Sequence, residues 1–248
     1  MDLDIIGQGM TTKVYRDGDT AIKLYADVPP YEAFNEARNQ QIVFDKGLPV
    51  PAVRGVKRFG ENMTALYMDY IKAIPVYSKD MSYDELVKVI DIAIKLQRQI
   101  HLTKVNTLQK IYDRYKRKIE STRYLDLEQK REIIALLDEL DDDSNNLCHG
   151  DFHLLNILYD GTKYWVIDWV DAAQGNILAD LCRSVIIIEG EGEFDYAKLY
   201  LDRYCKEYEI DKNDVLKWKP IVAAGRLDDG VTEKVKMWLL SIIRENIK

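Results

Sequence analysis

The stretch from Cys148 to Asp171, CHGDFHLLNILYDGTKYWVIDWVD, limits what this chain can fold into more than any other part of it. Asp151, Asn156 and Asp168 stand there beside or between short apolar runs, and a carboxylate left among apolar neighbours needs a partner. Leu147-Cys148 reads as the end of a short buried strand. Residues 157–159 and 165–167 read as two strands of a hairpin, with Asp160-Gly161 as its turn. Asp151 and Asn156 then share one loop, and Asp168 leaves the second hairpin strand facing it. A Mg²⁺ ion takes six hard oxygens in near-octahedral array and keeps several of its waters. One carboxylate, one amide oxygen and the phosphate oxygens of a nucleotide complete that shell. Asn156 and Asp168 are thus the expected metal ligands, and Asp151 is left to accept a proton from a substrate hydroxyl. Any one of the three could instead cap a helix or close a turn; their joint spacing argues for a site.

The frame His149-x-Asp151-x4-Asn156, followed by Ile167-Asp168-Trp169, resembles the catalytic loop and Asp-Phe-Gly motif of protein kinases. His149-Gly150-Asp151-Phe152-His153 with the later Ile-Asp-Trp more specifically resembles the aminoglycoside phosphotransferase and choline kinase family, small-molecule kinases sharing the protein-kinase fold. The resemblance covers roughly the whole chain, is strongest from 147 to 183 and fades after about 190. It implies an α+β, bilobal protein-kinase-like fold with a small antiparallel-sheet N-lobe and a larger, mainly helical C-lobe. The expected divisions are a nucleotide-binding lobe over 1–68, a hinge and linker over 69–81, and a catalytic and substrate-binding lobe over 82–248. By the same resemblance Asp180, in Ala179-Asp180-Leu181-Cys182-Arg183, braces the catalytic loop from behind, next to His149.

The N-terminal part supplies the complementary half. Gly7 and Gly9 lie between two β-prone runs and fit Gly-x-Gly-x-x-x-x-Val, a loop whose backbone N–H groups can approach phosphates closely where a Cβ would obstruct them. Thr11 and Thr12 complete the loop, Thr12 standing where protein kinases carry a third glycine. No Gly-Lys-Ser/Thr follows, so this is not a Walker A loop. Asp17-Gly18-Asp19 turns the chain into a strand bearing Lys23, flanked by Ile22 and Leu24, whose ammonium is expected to reach the α- and β-phosphates. Such a flexible side chain needs an anion behind it. The helix expected over 31–46 offers Glu32 and Glu36, and the family-like Leu48-Pro49-Val50-Pro51 after it favours Glu36. Two more strands, 53–59 and 64–68, complete a five-stranded sheet. The resemblance places the hinge just beyond, with backbone groups of Tyr70 and Ile71 at a purine edge and Met68 lining the pocket.

The remainder reads as helices: 82–101 with a Ser82/Glu85 capping box, 108–122, 128–140, one from Ala179 through 188, 196–208, 213–224 and 232–247. His101 is expected to be structural. Asp138 to Asp143 reads as a solvated acidic loop. Glu189 and Glu191, with Glu193 and Asp195, either line an acceptor pocket favouring an ammonium-bearing substrate or cap the next helix; Asp171 is a further candidate for substrate contact.

Composition narrows the class. The chain has 248 residues, 47% of them hydrophobic, enough for a large core. Acidic residues outnumber basic ones by 42 to 35, a net charge of −7 that argues against nucleic acid or an anionic membrane as partner. Cys148, Cys182 and Cys205 are scattered and odd in number, as expected of reduced thiols in a cytoplasmic protein. The stretch MDLDIIGQGM has no basic or long apolar segment and no apolar run approaches ~20 residues, so neither a leader nor a membrane span is expected. The expected protein is a monomer or weak dimer that binds ATP, or GTP as the alternative, with Mg²⁺, and transfers the γ-phosphoryl group to a hydroxyl of a small antibiotic, amino alcohol or sugar. The rival is a non-catalytic nucleotide-binding or scaffold protein with the same fold.

Overall fold

The computed structural model describes residues 4–9, 12–26, 28–59 and 63–247. They fall into two compact units, each made from two stretches of chain: 1–83 with 154–171, and 84–153 with 172–248.

In the first unit β1 (Asp4–Gln8), β2 (Thr12–Asp17), β3 (Thr20–Ala26), β4 (Val53–Phe59) and β5 (Met63–Asp69) form an antiparallel sheet in the order β1-β2-β3-β5-β4. These are the five strands expected from the alternation of β-branched and polar residues. The helix α1 (Tyr31–Asp45) packs on β4 and β5, closing a core of Ala21, Tyr25, Ala33, Ala37, Leu66 and Met68. A second, three-stranded sheet joins β6 (Ile74–Pro75) to β8 (Ile157–Tyr159) and β9 (Tyr164–Val166). The hairpin expected after Asn156 is therefore present. Its second strand ends one residue before Ile167, which frees the backbone for a change of direction at Asp168. The Val166 N–H donates to Pro49 O at 2.9 Å, which fastens this distant hairpin to the loop before β4.

The second unit is mainly helical: α2 (Tyr83–Leu102), α3 (Ile111–Ser121), α4 (Leu127–Leu140), α5 (Ile177–Gly190), α6 (Phe194–Glu207), α7 (Lys212–Leu216), α8 (Lys219–Arg226) and α9 (Glu233–Asn246). One helix was expected over 213–224; two are found, because Pro220 has no N–H to donate and is accommodated only in the first turn of a new helix. A two-stranded ladder pairs β7 (Asn146–Cys148) with β10 (Ala173–Gly175), the latter unforeseen because Ala-Gln-Gly carries no strand pattern. The α4 N-terminus is closed by a capping box, Asp126 with Gln129. Every residue of α5 from Ala179 to Ile188 is buried, as befits a helix at the centre of its unit. All three cysteines are buried free thiols. No helix among the described residues is long and apolar enough to cross a membrane.

Candidate active site

Two groups of predicted residues take shape, one in each unit. In the first, Lys23 is buried on β3 and its Nζ lies 2.9 Å from both carboxylate oxygens of Glu36 and 3.0 Å from Oδ1 of Asp168. Residues 145 positions apart in sequence thus meet at one ammonium. Burial opposes the charge on Lys23, yet Glu36 and Asp168 outweigh it and hold the ammonium above its ordinary pKa. The partner behaves differently: burial pushes the Glu36 carboxyl up to about 7 against the pull of Lys23, with Asp168 and Asp171 adding to the rise. The direction follows from burial first, and then from neighbouring acids that one ammonium does not offset. The Tyr25 hydroxyl also donates to Oε2 of Glu36. Glu32, the alternative brace, instead lies in the first turn of α1.

Helix α1 organises this group through a polar buried face. Three positions after Glu36, Asn39 donates from Nδ2 to Trp169 O and Val170 O, each at 3.2 Å. Gln40 donates to Pro51 O at 2.8 Å and to the Met68 sulfur at 3.6 Å. One helix thereby positions both Lys23 and the segment leaving Asp168. Asp168 itself has φ +66°, a left-handed backbone uncommon outside glycine but tolerated by Asp and Asn. Trp169, fully buried, donates its indole N–H to Val166 O and anchors the chain beyond that bend. The Ile167 N–H donates to Asn156 O at 3.0 Å, setting buried Asn156 beside the root of Asp168.

The glycine loop is partly described. Gly9 N–H donates to Thr12 O at 2.9 Å, and a Cβ at Gly9 would stand 3.0 Å from Thr12 Oγ1. Gly7 pairs with Val14 across the β1–β2 ladder. Thr11 lies outside the described residues. At the expected hinge Met68 is buried, but the Tyr70 N–H already donates to Asp19 O and the Ile71 carbonyl accepts from the Ala73 N–H, both at 2.9 Å. The expectation for this strand end therefore narrows to its other backbone groups.

In the second unit Asp180 fixes the loop that carries Asp151. Its Oδ1 accepts from Gly150 N at 2.7 Å; its Oδ2 accepts from His149 N at 3.3 Å and lies 2.9 Å from His101 Nε2. Gly150 adopts φ +81°, which suits a residue without Cβ, and Arg183 donates from Nε to its carbonyl. His101 is structural, as expected: it is buried and its other ring nitrogen meets the Tyr204 hydroxyl at 2.7 Å. Gln97 extends the network to Ser184 and Tyr200. Burial opposes ionisation of Asp151, but the hydrogen bond and charge of His153, with Arg183 and His149, hold it well below the usual carboxylate range. His153 Nε2 lies 3.5 Å from Asp151 Oδ2.

A family model described as "Phosphotransferase enzyme family" matches residues 3–215. The chain belongs to this family. No curated protein matches it. Among solved structures, this phosphotransferase has a TM-score of 0.70 with a thermostable mutant of aminoglycoside phosphotransferase APH(4)-Ia in ternary complex with AMP-PNP and hygromycin B. The two are 15% identical, over 99% of this chain and 92% of that one. Choline kinase LicA from Streptococcus pneumoniae gives 0.66 at 14% identity, over 99% and 94%. A choline/ethanolamine kinase family protein from Mesorhizobium loti gives 0.63 at 16%, over 99% and 87%. The phosphotransferase thus has the protein-kinase-like fold that its catalytic stretch resembles.

Of the acidic candidates for acceptor binding in the phosphotransferase, Glu189 has another partner. Both oxygens of Glu189 are bound by Lys219, at 2.8 and 2.9 Å. Glu191 is exposed past the end of α5, Glu193 stands at the N-cap of α6 without a side-chain cap hydrogen bond, and Asp195 sits in the first turn of that helix. Asp171 stands near enough to Glu36 to raise its carboxyl, in the Lys23 group. Asn39, Gln40, Tyr25 and Trp169 escaped sequence reasoning. Polar residues on a helix read as surface, and only the need to anchor the chain after Asp168 could have singled out Asn39.

Proposed function

We propose that this phosphotransferase moves the γ-phosphoryl group of ATP to a hydroxyl of a small molecule. The observation that carries the reading is Lys23, buried and shared between Glu36 and Asp168. A buried ammonium held by a helix carboxylate and by an acid on a left-handed bend suits the grip on nucleotide phosphates and their metal used by kinases. Asn156 and Asp168 supply hard oxygens at adjoining points of the hairpin base, a donor set that fits Mg²⁺. Among the described residues no three or more His, Cys, Asp or Glu side chains gather into a metal cage, so phosphate and water would complete the shell. When bound, the ion supplies charge neutralisation for the transferring group.

The chain's own residues divide the rest. Lys23 neutralises phosphate oxygens and Glu36 keeps it in place. The loop of Gly7 and Gly9 covers the phosphates, its small residues allowing close approach. Asp151, five residues before Asn156 in sequence, aims the acceptor hydroxyl. Its carboxylate is held so far below the usual range that it is a weak base, so orientation outweighs early proton removal in its contribution. Phosphoryl transfer through a loose transition state asks mainly for positioning and charge neutralisation, which these groups provide. The test is a melt with ATP, with and without Mg²⁺, followed by ADP release across a panel of hydroxyl compounds. Mg²⁺-dependent stabilisation that is lost in Asp168→Ala is the expected outcome. No shift at millimolar nucleotide would favour a scaffold that has lost the chemistry.

A further inference from the structure

Several cationic side chains of the second unit gather beside the Asp151 loop. A small cavity there is lined by Arg114, Tyr115, Lys118, Gly150, Asp180 and Arg183, among others. Its acids are already committed. Asp180 spends Oδ1 on the Gly150 N–H and Oδ2 on His101. Asp229 bridges Lys118 through Oδ1 and Arg183 through Oδ2. Arg114 donates to Ala172 O at 3.1 Å. Arg226, at the end of α8, is left over. Its Nε and Nη1 are buried without a hydrogen-bond partner among the described residues. Around it stand Arg183, Asp229, Asp151 and Tyr115; burial, and then Arg183, pull the guanidinium below its ordinary pKa.

Buried guanidinium donors without acceptors are costly to keep, because the group stays charged and those N–H bonds have lost water. Orphaned donors of this kind point to a missing acceptor. A guanidinium suits carboxylates and phosphates above other acceptors. We propose that the acceptor of this phosphotransferase is an anionic hydroxy compound, whose carboxylate or phosphate is received by Arg226 while its hydroxyl meets Asp151. The proposal rests on the assignment of Asp151 above. It departs from the cationic acceptors anticipated from Glu189 and Glu191, the first of which is neutralised by Lys219.

The test is a melt of the full chain in sodium phosphate or sodium acetate against sodium chloride at matched ionic strength. For the wild type we expect a saturable rise of about 2–4 °C with at least one anion, and the stronger anion names the acceptor's charged group. Arg226→Gln should not respond. Its ligand-free melting temperature should be no lower than the wild type's, since the substitution removes two buried donors that lack acceptors. Lys23→Met should respond like the wild type; if the response instead vanishes there and survives in Arg226→Gln, the anion occupies the nucleotide phosphate site and the proposal falls. No response in the wild type, or an equal one in Arg226→Gln, also overturns it. In turnover, a hydroxy acid or sugar phosphate should exceed its uncharged analogue at least tenfold in kcat/KM. Arg226→Gln should erase that ratio through KM; turnover of uncharged or cationic acceptors alone overturns the proposal. A wild type that Mg²⁺-ATP fails to stabilise would count against the kinase reading and everything resting on it, whereas loss of the anion response alone counts only against the anionic acceptor.

Discussion

Lys23 keeps its charge in a buried place because two carboxylates face it, and its removal has an asymmetric effect. In Lys23→Met, Glu36 and Asp168 would confront each other without a cation, so Glu36 should take up a proton and the phosphates lose their partner. A fall in kcat/KM on the order of 10²–10³-fold is expected in steady-state assays. The Glu36 carboxyl, raised from 4.5 to about 7, also gives a pH signature. The folded chain binds this proton more tightly than the unfolded one. Glu36's contribution to stability is therefore complete below about pH 4.5 and is lost as pH rises through about 7. Activity should run the other way, because only ionised Glu36 holds Lys23: kcat/KM for Mg²⁺-ATP should rise through about pH 7. Melts and rates across pH should both lose that inflection in Glu36→Gln. Asp151→Ala should lower kcat by roughly 10²–10⁴-fold while leaving nucleotide affinity in place. A kcat within a few-fold of wild type would refute the role given to Asp151.

At the scale of elements, α1 and α8 make the sharpest predictions. Asn39→Ala strips a donor from the carbonyls of Trp169 and Val170 in a buried setting. It should cost about 1–3 kcal/mol in denaturant unfolding and weaken Mg²⁺-dependent nucleotide binding by loosening the chain beyond Asp168. Gly225→Ala would place a Cβ 2.5 Å from the ring of fully buried Tyr115, which cannot swing away; destabilisation of about 1–3 kcal/mol is expected in the same measurement. These two positions also mark where the sequence ceased to be readable. Lys23, Glu36 and Asp168 could be paired on paper because each sits at a motif-defined spacing next to an apolar strand or helix. Asn39 could not, since its partners Trp169 and Val170 arrive from more than a hundred residues away, and Gln40 could not, since Pro51 and Met68 meet it only once α1 has packed on the sheet. Arg226 looks like any solvated helix-terminal arginine until Arg183, Tyr115 and Asp229 are seen around it. The break between α7 and α8 is legible in Pro220, which fits only the first turn of a new helix.

The molecule as a whole is woven rather than strung. The unit that contains Lys23 and Glu36 is incomplete without residues 154–171, which bring β8, β9 and Asp168 from far along the chain. A fragment ending at residue 83 should therefore fail to give a cooperative melt or to bind Mg²⁺-ATP, although it contains the whole five-stranded sheet; circular dichroism and calorimetry would check both. This threading also bears on how acceptor specificity could change through descent. A single recombination point placed anywhere between 84 and 153 would give the offspring Lys23 from one parent and Asp168 from the other. Exchange of the mainly helical unit alone needs three coordinated joints, after 83, after 153 and before 172. Gradual substitution along α3, α5 and α8 is thus an easier road to new substrates than the wholesale trading of domains.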